Sequence, residues 1–147
     1  MESQGFRKLV EQGAAAAERG NTLDALFHLE SALRYGSTPR LNSYLGYCLA
    51  KERREFKEAA DLCLEALKLE PAQAVHYLNL GRVYLAAGQK AAAIRALRRG
   101  VKFGKSRAII EELKRLGIRK APVVSSLPRN HPVNKHLGLL FKRLGVR

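Results

Sequence analysis

The sequence has no tryptophan, one methionine and two cysteines among 147 residues. Cys48 and Cys63 lack a neighbouring Cys or His at metal-ligand spacing, so no metal site and no cofactor are expected. Both cysteines fall inside helical patterns, which predicts buried free thiols in a reducing compartment. No apolar run approaches the ~18 residues that a membrane span requires. The opening Met1-Glu2-Ser3-Gln4-Gly5 has no basic stretch followed by an apolar one. A signal peptide is therefore not expected, and a cytoplasmic setting is. Strand patterns are missing too, and with them any glycine-rich phosphate loop placed after a strand. His28, His76, His131 and His136 show no spacing to one another, or to carboxylates, that reads as a metal site or a catalytic triad. His28 and His76 are expected to be ordinary surface-facing helical residues, and no enzymatic activity is expected.

Acid is the scarcest ingredient. Asp and Glu number 13 against 27 Lys and Arg, a net charge of +14. The shortage is uneven. Residues 1–38 carry four basic and five acidic residues, and residues 39–70 carry six of each. Residues 71–104 carry six basic residues and no acidic one; residues 105–147 carry eleven against two. Such asymmetry bears on partners and solubility rather than on fold. With 46% apolar and 27% charged residues, the chain has a globular composition.

What is present begins with Tyr77-Leu78-Asn79-Leu80-Gly81-Arg82-Val83-Tyr84. Ala93 follows nine residues after Tyr84, and Leu97 four after that. This pattern resembles the tetratricopeptide repeat (TPR) signature, with Tyr77 in place of its first aromatic and Leu97 in place of its Phe. Small Gly81 and Ala93 let two antiparallel helices approach closely, while Tyr77, Leu80, Tyr84 and Leu97 fill the space around them. Ala25, Ala59 and Ala93 are 34 residues apart, and Gly13, Gly46 and Gly81 precede them by twelve to thirteen.

The predicted fold is therefore all-α: a right-handed superhelical stack of three TPR-like helix hairpins, a capping helix and a basic C-terminal tail. The repeats are placed at about 6–38, 39–73 and 74–105, beginning near Phe6, Pro39 and Ala74. The first is degenerate, with Gln12 and Ala16 in place of the Leu and Tyr. Gly20-Asn21 reads as a turn and Thr38 as an N-cap before Pro39. Lys51 to Glu55 holds one residue more than the repeat norm, which predicts a looser, solvated turn. Ile109, Ile110, Leu113 and Leu116 predict the capping helix over 106–117. Residues 118–147 read as a proline-containing basic linker and a short amphipathic helix bearing Val133, Leu137, Leu140, Phe141 and Leu144. This tail resembles the C-terminal extension of a group of small bacterial TPR proteins.

The resemblance implies a non-enzymatic scaffold that holds a partner's peptide or helix in a concave groove lined by the first helix of each pair. The groove positions include Arg40, Ser43, Tyr47, Lys51, Asn79 and Arg82, with Tyr44 and Leu78 nearby. Only Asn79 matches the carboxylate clamp of one TPR subclass, because Val10 and Ala14 stand where Lys and Asn are needed. The expected partner is an acidic protein or peptide. At 100° per residue, Arg95, Arg98, Arg99 and Lys102 form a basic stripe on the second helix of the third pair. The stripe and the basic C-terminal half carry the alternative: an adaptor for nucleic acid, the ribosome or an anionic membrane face.

Overall fold

In the computed structural model, the structure describes residues 3–117. The described residues are all-helical, in seven α-helices with no strand. They are α1 (Gln4–Glu18), α2 (Thr22–Leu33), α3 (Pro39–Arg53), α4 (Phe56–Leu69), α5 (Ala74–Ala86), α6 (Lys90–Val101) and α7 (Arg107–Arg115). The linker and amphipathic helix expected over 118–147 lie outside the described residues.

Local chemistry explains where the helices start and stop. Ser3 caps α1, and its Oγ accepts from the Phe6 amide. Asn21 caps α2 in the same way, through the Asp24 amide. Thr38 caps α3 through Leu41, with Pro39 at the first helical position. Gly20 and Gly88, at φ +80° and +77°, make the turns between α1 and α2 and between α5 and α6. The turn between α3 and α4 departs from expectation. The additional residue is absorbed into α3, which runs to Arg53, so the turn is the tight pair Arg54-Glu55 rather than a looser loop. Arg54 takes the left-handed conformation, φ 55° and ψ 30°, where the other two turns use glycine.

The unit Met1–Ser106 is built as three helix pairs: α1 with α2, α3 with α4, α5 with α6. α3 also packs against α1, α2 and α5, and α4 packs against α5. First helices thus form an inner row and second helices an outer row. The glycine seam explains the tight pairing. A Cβ on Gly13 would lie 2.6 Å from Leu29 Cδ2, and on Gly81 2.8 Å from Leu97 Cδ2. On Gly46 it would lie 2.6 Å from the backbone oxygen of Ala59. Ala25, Ala59 and Ala93 face these glycines and are fully buried. Leu80 is buried, and Tyr77 and Tyr84 are half-buried. In the degenerate first pair, Phe6, Val10, Ala14, Ala16 and Ala17 fill the core from α1.

α7 belongs to a separate unit beginning at Arg107. Ile109 and Leu113 are its buried residues. Arg107 pairs with Glu111 one turn along and Arg115 with Glu112. Gly117, at φ +75°, ends it.

Candidate functional site

The inner row gathers the polar side chains that the groove positions predict, and it ties most of them to one another. Arg82 leaves α5 one turn after Asn79 and reaches α1. Its Nη1 donates to Glu18 Oε1 at 2.9 Å and its Nη2 to Glu18 Oε2 at 3.0 Å, a two-pronged pair between residues 64 positions apart. Nη1 also donates to Asn79 Oδ1 at 3.0 Å. The guanidinium lies 4.8 Å from the Tyr47 ring centroid, a cation–π contact. The Tyr44 hydroxyl donates to the same Glu18 oxygen at 2.8 Å. Arg40 repeats the arrangement at lower burial: its Nε donates to Glu11 Oε1 at 2.9 Å and its carbon lies 5.3 Å over the Tyr44 ring.

Electrostatics follow from these contacts. Burial by itself would raise the Glu18 pKa. The hydrogen bonds and charge of Arg82, with the Tyr44 hydroxyl, more than offset it, and Glu18 stays below the ordinary carboxylate value. Burial would lower Arg82, but Glu18 holds it further toward the charged form. Tyr44 is pushed up by burial and then by the Glu18 charge. Arg82 is only 11% exposed in its side chain, so it forms part of a closed network. Glu11 and Glu18, seven residues apart on one face of α1, neutralise Arg40 and Arg82. Neither arginine is a free anion-binding group.

Ser43 and Asn79 are corrected outright. Both are fully buried, and so cannot line an accessible groove. Asn79 Nδ2 donates to Ser43 Oγ at 3.2 Å. His76, expected at the surface, is 1% exposed and is the residue that the sequence reading missed. Its Nδ1 lies 2.9 Å from Ser43 Oγ and its Nε2 2.7 Å from Glu70 Oε1. Both ring nitrogens thus have a hydrogen-bond partner. The network joins α3 to α5 and to the end of α4. The serine–histidine–carboxylate order resembles a nucleophile relay, but the Ser43 hydroxyl is sealed and already held by Asn79, so no substrate reaches it. His76 was legible in one respect: it interrupts an apolar run, Ala74-Val75-His76-Tyr77-Leu78, with Glu70 six residues before it.

Of the predicted groove residues, Lys51 remains exposed, while Arg40 and Tyr47 are half-buried. The outer row contrasts with this. Arg95, Arg98, Arg99 and Lys102 are all exposed, and no carboxylate among the described residues pairs with them. The two thiols are inert by position. Burial pushes Cys48 up to about 12, and raises Cys63 as well.

Residues 62–95, from within α4 through α5 into α6, match the family model described as tetratricopeptide repeat. That match covers 34 of the 147 residues and supports a tetratricopeptide repeat assignment. The matched stretch contains the Tyr77–Tyr84 signature, Gly81 and Ala93. None of the curated proteins searched matches the chain. TPR repeats generally mediate protein–protein interaction and are typically non-enzymatic scaffolds. Among the described residues no helix is long and apolar enough to cross a membrane, and no group of three or more His, Cys, Asp or Glu could hold a metal ion.

Proposed function

We propose that this TPR chain is a protein-binding scaffold whose inner row, α1, α3 and α5, forms the concave face of a right-handed superhelical stack and holds a peptide or helix of a partner. The observation that supports it most is the locked network Glu18–Arg82–Tyr47–Tyr44. It fixes aromatic and guanidinium side chains across three successive first helices before any partner arrives. Pre-organised Tyr and Arg side chains lower the ordering cost of association and are frequent binding anchors. Arg40, Tyr47 and Lys51 are the positions on this face that a partner would touch. Arg40 and Arg82 already have carboxylates, so an acidic partner is not what this face selects. A segment with apolar or aromatic anchors suits it better.

Site-specific photo-crosslinking in the source cell tests the reading. A crosslinker at Tyr47 or Lys51 should capture one protein at higher yield than a crosslinker at Arg34, an exposed position beyond α2. Equal yields at the three positions would remove the inner row as the binding face. Tighter binding of the full chain to duplex DNA than to any captured protein, at physiological salt, would favour the basic-adaptor alternative.

A further inference from the structure

The outer row holds a second feature that the inner-row reading does not use. α4 and α6 both pack on α5, leaving a channel between them with α5 as its floor. A cavity of about 180 Å³ lies there. Its floor and α4 wall are apolar: Leu64, Leu67, Leu80, Tyr77 and Tyr84. Its α6 rim is Arg95 and Arg99, with Ala92 and Ala96 below them. The volume is under the roughly 300 Å³ at which small-molecule clefts begin, and is suited to one large side chain. Leu64 is 46% exposed although it faces this apolar channel. Tyr77 stacks on Phe103 at 5.4 Å, and Phe103, 44% exposed, adds to the apolar surface.

Charge says what covers it. Arg95 and Arg99 have no carboxylate partner among the described residues, and Lys90, Arg98 and Lys102 stand exposed on the same helix or at its end. Residues 71–104 hold no Asp or Glu to neutralise them. The acids of α4, Glu58, Asp61 and Glu65, are exposed but do not line the channel. The two walls therefore differ: apolar along α4, cationic along α6. We propose that the α4–α6 channel docks an amphipathic helical segment of an acidic protein partner. One apolar side chain of that segment enters the cavity between Leu64 and Tyr84, and its carboxylates lie along the α6 side. Apolar burial supplies the anchor, and the unpartnered arginines set orientation and on-rate.

The probe is a synthetic fluorescent helical peptide with Leu at i, i+3 and i+7 and Glu along one flank. It is compared with a scrambled peptide of the same composition, with vesicles of phosphatidylserine and phosphatidylcholine, and with a duplex DNA of matched charge. Anisotropy or co-sedimentation with the full chain is the readout. The amphipathic peptide should bind at least about tenfold more tightly than the scrambled one, because only it presents an apolar anchor in register with an acidic flank. Leu64→Gln, at an already exposed position, should weaken it about tenfold. Arg95→Glu with Arg99→Glu should weaken it by a similar factor, mainly through slower association. Lys8→Glu, on exposed α1, should leave it unchanged. Circular dichroism of each variant should match the parent. Equal affinity for the scrambled peptide, or no effect of Leu64→Gln, would overturn the site. Tighter binding to vesicles or DNA, lost in the double arginine variant, would overturn it in favour of a phosphate surface. Either result leaves the inner-row reading standing, because Leu64, Arg95 and Arg99 lie on α4 and α6.

Discussion

The two rows of the repeat unit use the same residue type in opposite ways. On the inner row, Arg40 and Arg82 are each joined to a carboxylate of α1 and lie against a tyrosine ring. On the outer row, Arg95, Arg98 and Arg99 are exposed and have no carboxylate partner among the described residues. Counting cations along the sequence treats these arginines alike. The fold separates them into internal ties and free charges. An arginine that has spent its hydrogen bonds on a neighbour organises a surface but does not attract an anion to it. In the binding modes proposed above, charge-driven recognition therefore falls to the outer row, and shape-driven recognition to the inner one.

The largest effect should come from the seam that joins the rows. A Cβ at Gly46 meets a backbone oxygen at 2.6 Å, whereas at Gly13 and Gly81 it meets leucine side-chain carbons that can shift. Gly46→Ala should therefore cost about 3 kcal/mol or more, and Gly81→Ala about 1–2 kcal/mol. Ala72→Leu, at an exposed turn residue, should change stability by less than about 0.5 kcal/mol. Urea unfolding of the three variants checks the ranking. Equal midpoints would mean that the α3–α4 contact is no tighter than the others.

The next effect sets inner arginines directly against outer ones. Glu18→Ala leaves Arg82 largely buried with its main partner gone, which should cost about 1–3 kcal/mol. Arg95→Ala should fall within about 0.5 kcal/mol of the parent. The Glu18 contribution also depends on pH. Its pKa in the folded chain lies below the ordinary carboxylate value. Its stabilisation is therefore complete above pH 4.5 and is lost as pH falls through the lowered folded value. Unfolding curves from pH 6 down to pH 3 should converge for the parent and Glu18→Ala. A gap that stays constant would remove the ion pair as the cause.

How much of this contrast the sequence announced depends on distance along the chain. Helix pairing was legible because the Gly-to-Ala spacing of twelve to thirteen residues and the 34-residue period are local patterns. Cap residues such as Thr38 were legible for the same reason. The tie from Arg82 to Glu18 spans 64 positions and needs α1, α3 and α5 side by side. No single repeat contains it, and the groove positions taken one repeat at a time placed Arg82 on the groove without its tie to α1. Ser43, His76 and Asn79 escaped likewise, since their hydrogen bonds run between repeats. The basic stripe of α6 was legible because it is one helix face. The channel beside it was not, because its other wall belongs to the preceding pair.

A middling effect tests that inter-repeat tie. Ser43→Ala removes the oxygen shared by His76 and Asn79 and leaves two buried polar groups short of a partner. It should cost about 1–3 kcal/mol despite deleting one atom. Ser31→Ala, where the hydroxyl is exposed and bonds only to the Phe27 carbonyl, should cost far less. Similar losses at both serines would show that the buried network adds nothing beyond a surface hydroxyl.

The smallest effect concerns the turns by which the chain passes from inner row to outer row. Two of the three put glycine in the left-handed region, and the middle one puts Arg54 there. A side-chain-bearing residue in that conformation costs roughly 1–2 kcal/mol relative to its preferred backbone. Arg54→Gly removes that strain but adds backbone freedom to the unfolded chain, which offsets part of the gain. It also removes the contact of the Arg54 guanidinium with the Phe56 ring, 5.0 Å to the centroid, an exposed cation–π pair worth about 0.5–1 kcal/mol. The three terms nearly balance, so the net change should be a gain of no more than about 0.5 kcal/mol. Arg54→Asn should behave similarly, because asparagine tolerates the left-handed region. Arg54→Val should destabilise by about 1 kcal/mol or more, since a β-branched side chain fits that region worst. Thermal melts of the three variants read the order. If Val and Gly melt together, Arg54 does not hold a left-handed turn, and the additional residue lies in a loose loop after all.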